Sequence, residues 1–70
     1  MSKLPVLSGK KCVQKLQKQG FEFRRQKGSH IILRHKSSKI ILTVPDHKEL
    51  DRRTLRAIIR QSGLQATDFL

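Results

Sequence analysis

Apolar positions along this chain change period twice, and the changes mark out its elements. From Gly9 to Gln19 they recur at helical spacing: Cys12, Val13 and Leu16 form one stripe, while Lys10, Lys11, Lys15 and Lys18 populate the rest. Ser8 in front is a good N-cap, and Gly20 stands where a left-handed helix end belongs. Met1 to Leu7 reads as a short extended lead, because Pro5 biases Leu4 away from helix. Phe21-Glu22-Phe23-Arg24-Arg25-Gln26 then starts to alternate, the period of a half-buried strand. Lys27-Gly28-Ser29 is a turn by composition. His30 to His35 is a second strand and Lys39 to Val44 a third, joined by the polar Lys36-Ser37-Ser38. Pro45 ends the third strand, since it cannot donate to a sheet ladder.

Helical spacing returns after a loop from Asp46 to Leu50. Asp51 caps a second helix that runs through Gln61, with Leu55, Ile58 and Ile59 as its stripe and Gly63 as its stop. Thr67 is a candidate cap for one further turn, which would bring Phe69 and Leu70 back onto the core. The order helix, three strands, helix predicts a small α+β sandwich with a meander sheet. One choice stays open. His30, Ile32 and Arg34 share one face of the second strand, and Ile31, Leu33 and His35 share the other. Both faces are apolar at the centre, so alternation does not say which one meets the helices.

Composition narrows the class. At 70 residues the chain is expected to form one domain, burying about 60% of its unfolded surface around one small core. Its formal charge of +11 comes from 16 Lys and Arg against 5 Asp and Glu. Self-repulsion of that size is tolerable when it serves a nucleic acid, an anionic membrane or an acidic protein. Nucleic acid ranks first, because the cations spread over the strands and both helices rather than along one amphipathic arm. Three Phe with no Trp or Tyr argue against reading single-stranded bases mainly on aromatic platforms. Cys12 is the single cysteine, so no intrachain disulfide or thiolate metal cluster is expected, and a reducing compartment is implied. No signal-peptide core and no membrane-length apolar run is present, which points to the cytoplasm and away from membranes.

The chemistry concentrates in Arg24-Arg25-Gln26-Lys27-Gly28-Ser29-His30. A histidine, the side chain suited to proton transfer near neutral pH, sits where a basic loop becomes a strand. Arg24, Arg25, Lys27 and Arg34 surround it in sequence and attract a polyanion. Gly28 allows a tight turn or a close backbone approach. Read without further context, His30 is more often a solvated histidine at a strand edge than a catalyst. Ser29 and His30 are neighbours, so in an extended strand they face opposite ways and do not form a nucleophile–base pair. Ser29 instead shapes the loop or bonds a phosphate. By the same parity His35 faces away from His30, so the two do not share a metal ion, and no metal site is predicted. His47, after Pro45-Asp46, is a secondary proton-transfer candidate; loop structure is its blander reading.

The motifs Leu4-Pro5, Ser8-Gly9-Lys10, Gly20-Phe21, Arg25-Gln26-Lys27-Gly28-Ser29-His30 and Val44-Pro45-Asp46-His47 stand in order along the chain. With Thr54-Leu55-Arg56-Ala57-Ile58-Ile59 and Ser62-Gly63-Leu64 they make the chain resemble the HicA, or YcfA-like, family of toxin mRNA interferases, nearly end to end. The resemblance implies a double-stranded-RNA-binding-domain-like fold, cleavage of mRNA, and neutralisation by a HicB antitoxin in a stable complex. It implies that His30 is the catalytic histidine; no small-molecule cofactor is expected. RNA and phosphate contacts are then expected from Arg24, Arg25, Lys27, Gly28, Ser29 and Arg34. Many relatives carry a second polar residue, often histidine, directly after the catalytic one; here it is Ile31, so a mechanism needing two adjacent histidines is not implied. The alternatives are a non-catalytic RNA-binding module of the same fold and a domain whose basic surface meets only an acidic protein.

Overall fold

A computed structural model describes residues 4–70; residues 1–3 of the expected extended lead lie outside the described residues. The elements are α1 (Gly9–Lys18), β1 (Phe21–Lys27), β2 (His30–His35), β3 (Ile41–Pro45) and α2 (Arg52–Ser62), followed by a short 3-10 helix (Ala66–Phe69). The strands form an antiparallel meander in the order β1-β2-β3. This is the expected α+β fold, with the helices packed on one face of the sheet.

Local chemistry sets the helix ends. The Ser8 hydroxyl accepts from the Lys11 N–H at 3.0 Å, and the Asp51 carboxylate accepts from the Thr54 N–H at 2.6 Å. Hydrogen bonding from the Thr54 backbone N–H holds the Asp51 carboxyl below the usual carboxylate range. Gly63 closes α2 in the left-handed conformation, at φ 76°. Behind it the Ser62 hydroxyl donates to the Ile59 carbonyl at 2.7 Å and accepts from the Leu64 N–H at 3.1 Å.

The helices cover the Ile31–Leu33 face of β2. Ile31 and Leu33 are buried with their cross-strand partners Val44 and Leu42, under Cys12 and Leu16 of α1 and Leu55 and Ile58 of α2. Leu7, Phe21, Leu50 and Phe69 complete the core. The opposite face, with His30, Ile32 and Arg34, stays open. The parity left unresolved by the sequence is therefore decided by which isoleucine the helices bury.

Several boundaries differ from expectation. β1 extends to Lys27, so the first turn is only Gly28-Ser29. β3 begins at Ile41 rather than Lys39: Lys39 takes φ 67°, and the connection closes instead by bonds from the Lys39 N–H to the His35 carbonyl and from the His35 N–H to the Ile40 carbonyl. Pro45 is the last residue of β3, opposite His30. The 3-10 helix is capped by Gln65, whose N–H meets the Asp68 carboxylate at 2.9 Å, and not by Thr67. Phe69 enters the core, but Leu70 remains exposed.

Candidate active site on the open face of the sheet

Strict alternation from the buried Phe21 would turn Arg25 and Lys27 toward the apolar core under the helices. A β-bulge prevents this. Phe23 pairs with Leu33, but the next pair is Arg25 with Ile32, leaving Arg24 as the extra residue. Two residues on β1 thus oppose one on β2, and the phase of the strand reverses beyond the bulge. Lys27 then pairs with His30, which in turn pairs with Pro45 on β3. The next row is Arg25, Ile32 and Thr43, and the row beyond is Glu22, Arg34 and Ile41. Glu22 is the one acid in these rows. Arg24, Arg25, Ile32, Arg34 and Ile41 line a shallow cleft of about 280 Å³.

The Gly28-Ser29 turn is pinned from two sides. Gly28 has φ 58° while Ser29 does not take positive φ, the pattern of a type II′ hairpin turn with glycine first. A Cβ at Gly28 would meet nothing within 4 Å, so backbone conformation rather than crowding calls for glycine there. The phase reversal also turns Gln26 away from the open face. Its side-chain amide donates to the Gly28 carbonyl at 3.0 Å and to the Asp46 carboxylate at 3.2 Å. The Asp46 N–H donates to the Ser29 carbonyl at 2.6 Å. The end of β1, the turn and the chain after β3 are thereby tied around the first residue of β2, which is His30.

The structure thus brings Lys27, Gly28, Ser29 and His30 together at one end of the open face, with Arg24, Arg25 and Arg34 beside them. His30 is exposed. His47 does not join this group. It lines a separate cleft with Ser8, Lys10, Asp46 and Lys48, and its carbonyl accepts from the Gly9 N–H at 2.9 Å. Gly9 has a steric reason to be glycine, since a Cβ there would run into the Pro45 carbonyl.

His35 is on the helix side. Its ring packs edge-on against Phe21 at 4.8 Å between centroids. Nδ1 receives the N–H groups of Ser37 and Ser38 at 3.0 and 3.1 Å, so the ring proton is on Nε2, which donates to the Gln19 carbonyl at 2.9 Å. Among the described residues no three of His, Cys, Asp and Glu come together as ligands for a metal ion. Burial pushes the Cys12 thiol up to about 11. None of the described helices is long and apolar enough to cross a membrane.

Sequence reasoning missed Gln26, Asp46 and the bulge. The bulge left a trace: the alternation Phe21-Glu22-Phe23 breaks at two consecutive arginines. Asp46 becomes legible only once His30 is known to pair with Pro45.

Residues 9–64, from the first residue of α1 to just beyond α2, match the model of a family described as HicA toxin of bacterial toxin–antitoxin. No curated protein matches the chain significantly.

Proposed function

The chain belongs to the HicA toxin family of bacterial toxin–antitoxin systems, and from that premise we propose that it is an endoribonuclease that cleaves mRNA through His30 by metal-independent chemistry. A toxin of this class has an antitoxin partner; in our reading it is a HicB-type protein, and toxin, antitoxin and RNA meet in the cytoplasm. The observation that carries the proposal is the open-face row Lys27–His30–Pro45, where an exposed imidazole stands beside a cation at a turn tied by Gln26 and Asp46.

The reaction uses the RNA as its own nucleophile. His30 takes the proton of a ribose 2′-hydroxyl, and the 2′-oxygen forms a bond to the adjacent phosphorus. The bond from phosphorus to the 5′-oxygen of the next nucleotide breaks, and that oxygen takes up a proton from solvent, since His47, the secondary proton-transfer candidate, lines a separate cleft. The products are a 2′,3′-cyclic phosphate and a 5′-hydroxyl end. Lys27 and Arg25 place positive charge where the phosphoryl oxygens gain negative charge. The Gly28-Ser29 turn lets backbone approach the phosphate, and Arg24 and Arg34 hold the neighbouring strand. An antitoxin that covers the turn and the arginines would block entry of RNA.

End-group analysis of a defined RNA incubated with purified chain tests this. We expect 2′,3′-cyclic phosphate and 5′-hydroxyl ends, undiminished by a chelator, with a rate reduced about 10²- to 10⁴-fold in His30→Ala. If the chain binds RNA in a salt-dependent way but neither wild type nor variant cuts it, the binding-module reading replaces this one.

A further inference from the structure

The bulge makes an unusual kind of pocket. Its floor is Ile32, half-buried on the central strand, and Ile41 of β3 supplies an apolar wall. Arg24 and Arg25, both opposite Ile32, and Arg34 one row away supply the charged rim. A bare phosphate has no use for an apolar floor, and an apolar molecule has none for several guanidinium groups. A nucleotide uses both. Its base stacks on guanidinium planes and aliphatic carbon, while its phosphates take the remaining N–H groups. Phe21 and Phe69 are buried and Phe23 shares the face of Leu33, so stacking on the open face falls to the arginines. The cleft of about 280 Å³ is slightly below the size that suits drug-sized ligands. Ile32 lies two residues from His30 on the same face, about 7 Å along the strand.

We propose that the cleft formed by Arg24, Arg25, Ile32, Arg34 and Ile41 holds one unpaired nucleobase of the RNA strand whose phosphate is presented to His30. This rests on the endoribonuclease reading and adds to it a base subsite, which makes single-stranded RNA the substrate class. Paired RNA, whose bases are engaged with each other, cannot supply the base.

Binding measured with the full chain carrying His30→Ala separates the subsite from catalysis. The probes are a short single-stranded RNA and an oligomer of equal length with every base removed, followed by fluorescence anisotropy at fixed salt. We expect the abasic oligomer to bind about 5- to 150-fold more weakly, and this penalty to shrink to near unity in Ile41→Ser and in Arg34→Gln. Ile41 is 64% exposed, so its serine variant retains the fold. Equal affinity for both oligomers, with Arg34→Gln weakening both alike and lowering the salt slope by about 0.7, would mean that the cleft holds phosphate only and would overturn the proposal. So would a base penalty that persists unchanged in both variants, or variants that bind RNA normally yet lose the purified antitoxin. Base-dependent binding without cleavage by the wild-type chain would overturn the endoribonuclease reading and leave the base subsite standing.

Discussion

Replacing Gly20 with alanine tests how the end of α1 is joined to the end of β2. Gly20 has φ 96°, a region that costs a residue with a Cβ about 1–2 kcal/mol. The added Cβ would lie 2.7 Å from His35 Nε2, the atom that donates to the Gln19 carbonyl. The ring must move, and it cannot do so without loosening the bonds from the Ser37 and Ser38 N–H groups to Nδ1. Losing roughly one net hydrogen bond adds about 0.5–1.5 kcal/mol, for a total near 2–3 kcal/mol. Urea unfolding should show this as a midpoint lowered by roughly 2–3 M at an unchanged slope of about 1 kcal/mol/M. In a His35→Ala background no ring is left to displace, and Gly20→Ala should cost only the backbone share of about 1–2 kcal/mol. The coupling between the two sites is then about 1 kcal/mol. The same cost in both backgrounds would show that the ring contact contributes nothing. No cost in either would show that the backbone at Gly20 relaxes, and the reasoning would fail.

Three further outcomes follow from the same geometry. Phe69 is fully buried, so Phe69→Ala should cost about 3–5 kcal/mol, much of the roughly 3.5–10 kcal/mol that a chain this size commands; calorimetry showing a Tm within a few degrees of wild type would refute its place in the core. Cys12, raised to about 11 from near 9, keeps its proton in the folded state while the unfolded thiol loses its own. Stability should therefore fall as pH rises from 9 toward 11, by about 2 kcal/mol, and denaturation of Cys12→Ala at the same pH values should lack this component; an identical slope in both proteins would contradict it. If the Asp46–Gln26 bond positions the turn before His30, Asp46→Ala should lower kcat by up to about 100-fold with little change in KM. Asp46→Asn, which keeps an oxygen acceptor for the Gln26 amide, should recover most of the loss, and an asparagine variant as slow as alanine would rule out the tether.

Much of this fold could be read from the chain because its boundaries are chemical. Ser8, Asp51 and Gly63 are cap residues by type, and they cap in the structure. The face of β2 could not be read, because Ile31, Ile32 and Leu33 are all apolar and only packing against Leu16 and Leu55 selects among them. The start of β3 was displaced because Lys39 adopts positive φ without being glycine or asparagine. At the candidate site, the hairpin turn and its cations were legible from Gly28 and the surrounding charges. The bulge governs which cations share a face with His30, and alternation alone does not reveal it: a period-2 reading keeps counting through Arg24, whereas the pairing skips it. The Gln26–Asp46 bond joins residues far apart in sequence and depends on the register of all three strands.

Induced expression of the wild-type chain and of His30→Ala, with growth and mRNA integrity followed together, tests the central claim most directly. Circular dichroism and RNA binding of both purified proteins establish that the variant remains folded and still engages its target. The account predicts growth arrest and fragmented mRNA with the wild type alone, while both proteins fold and bind RNA alike. Equal fragmentation by the two proteins would contradict the assignment of His30 and turn attention to His47.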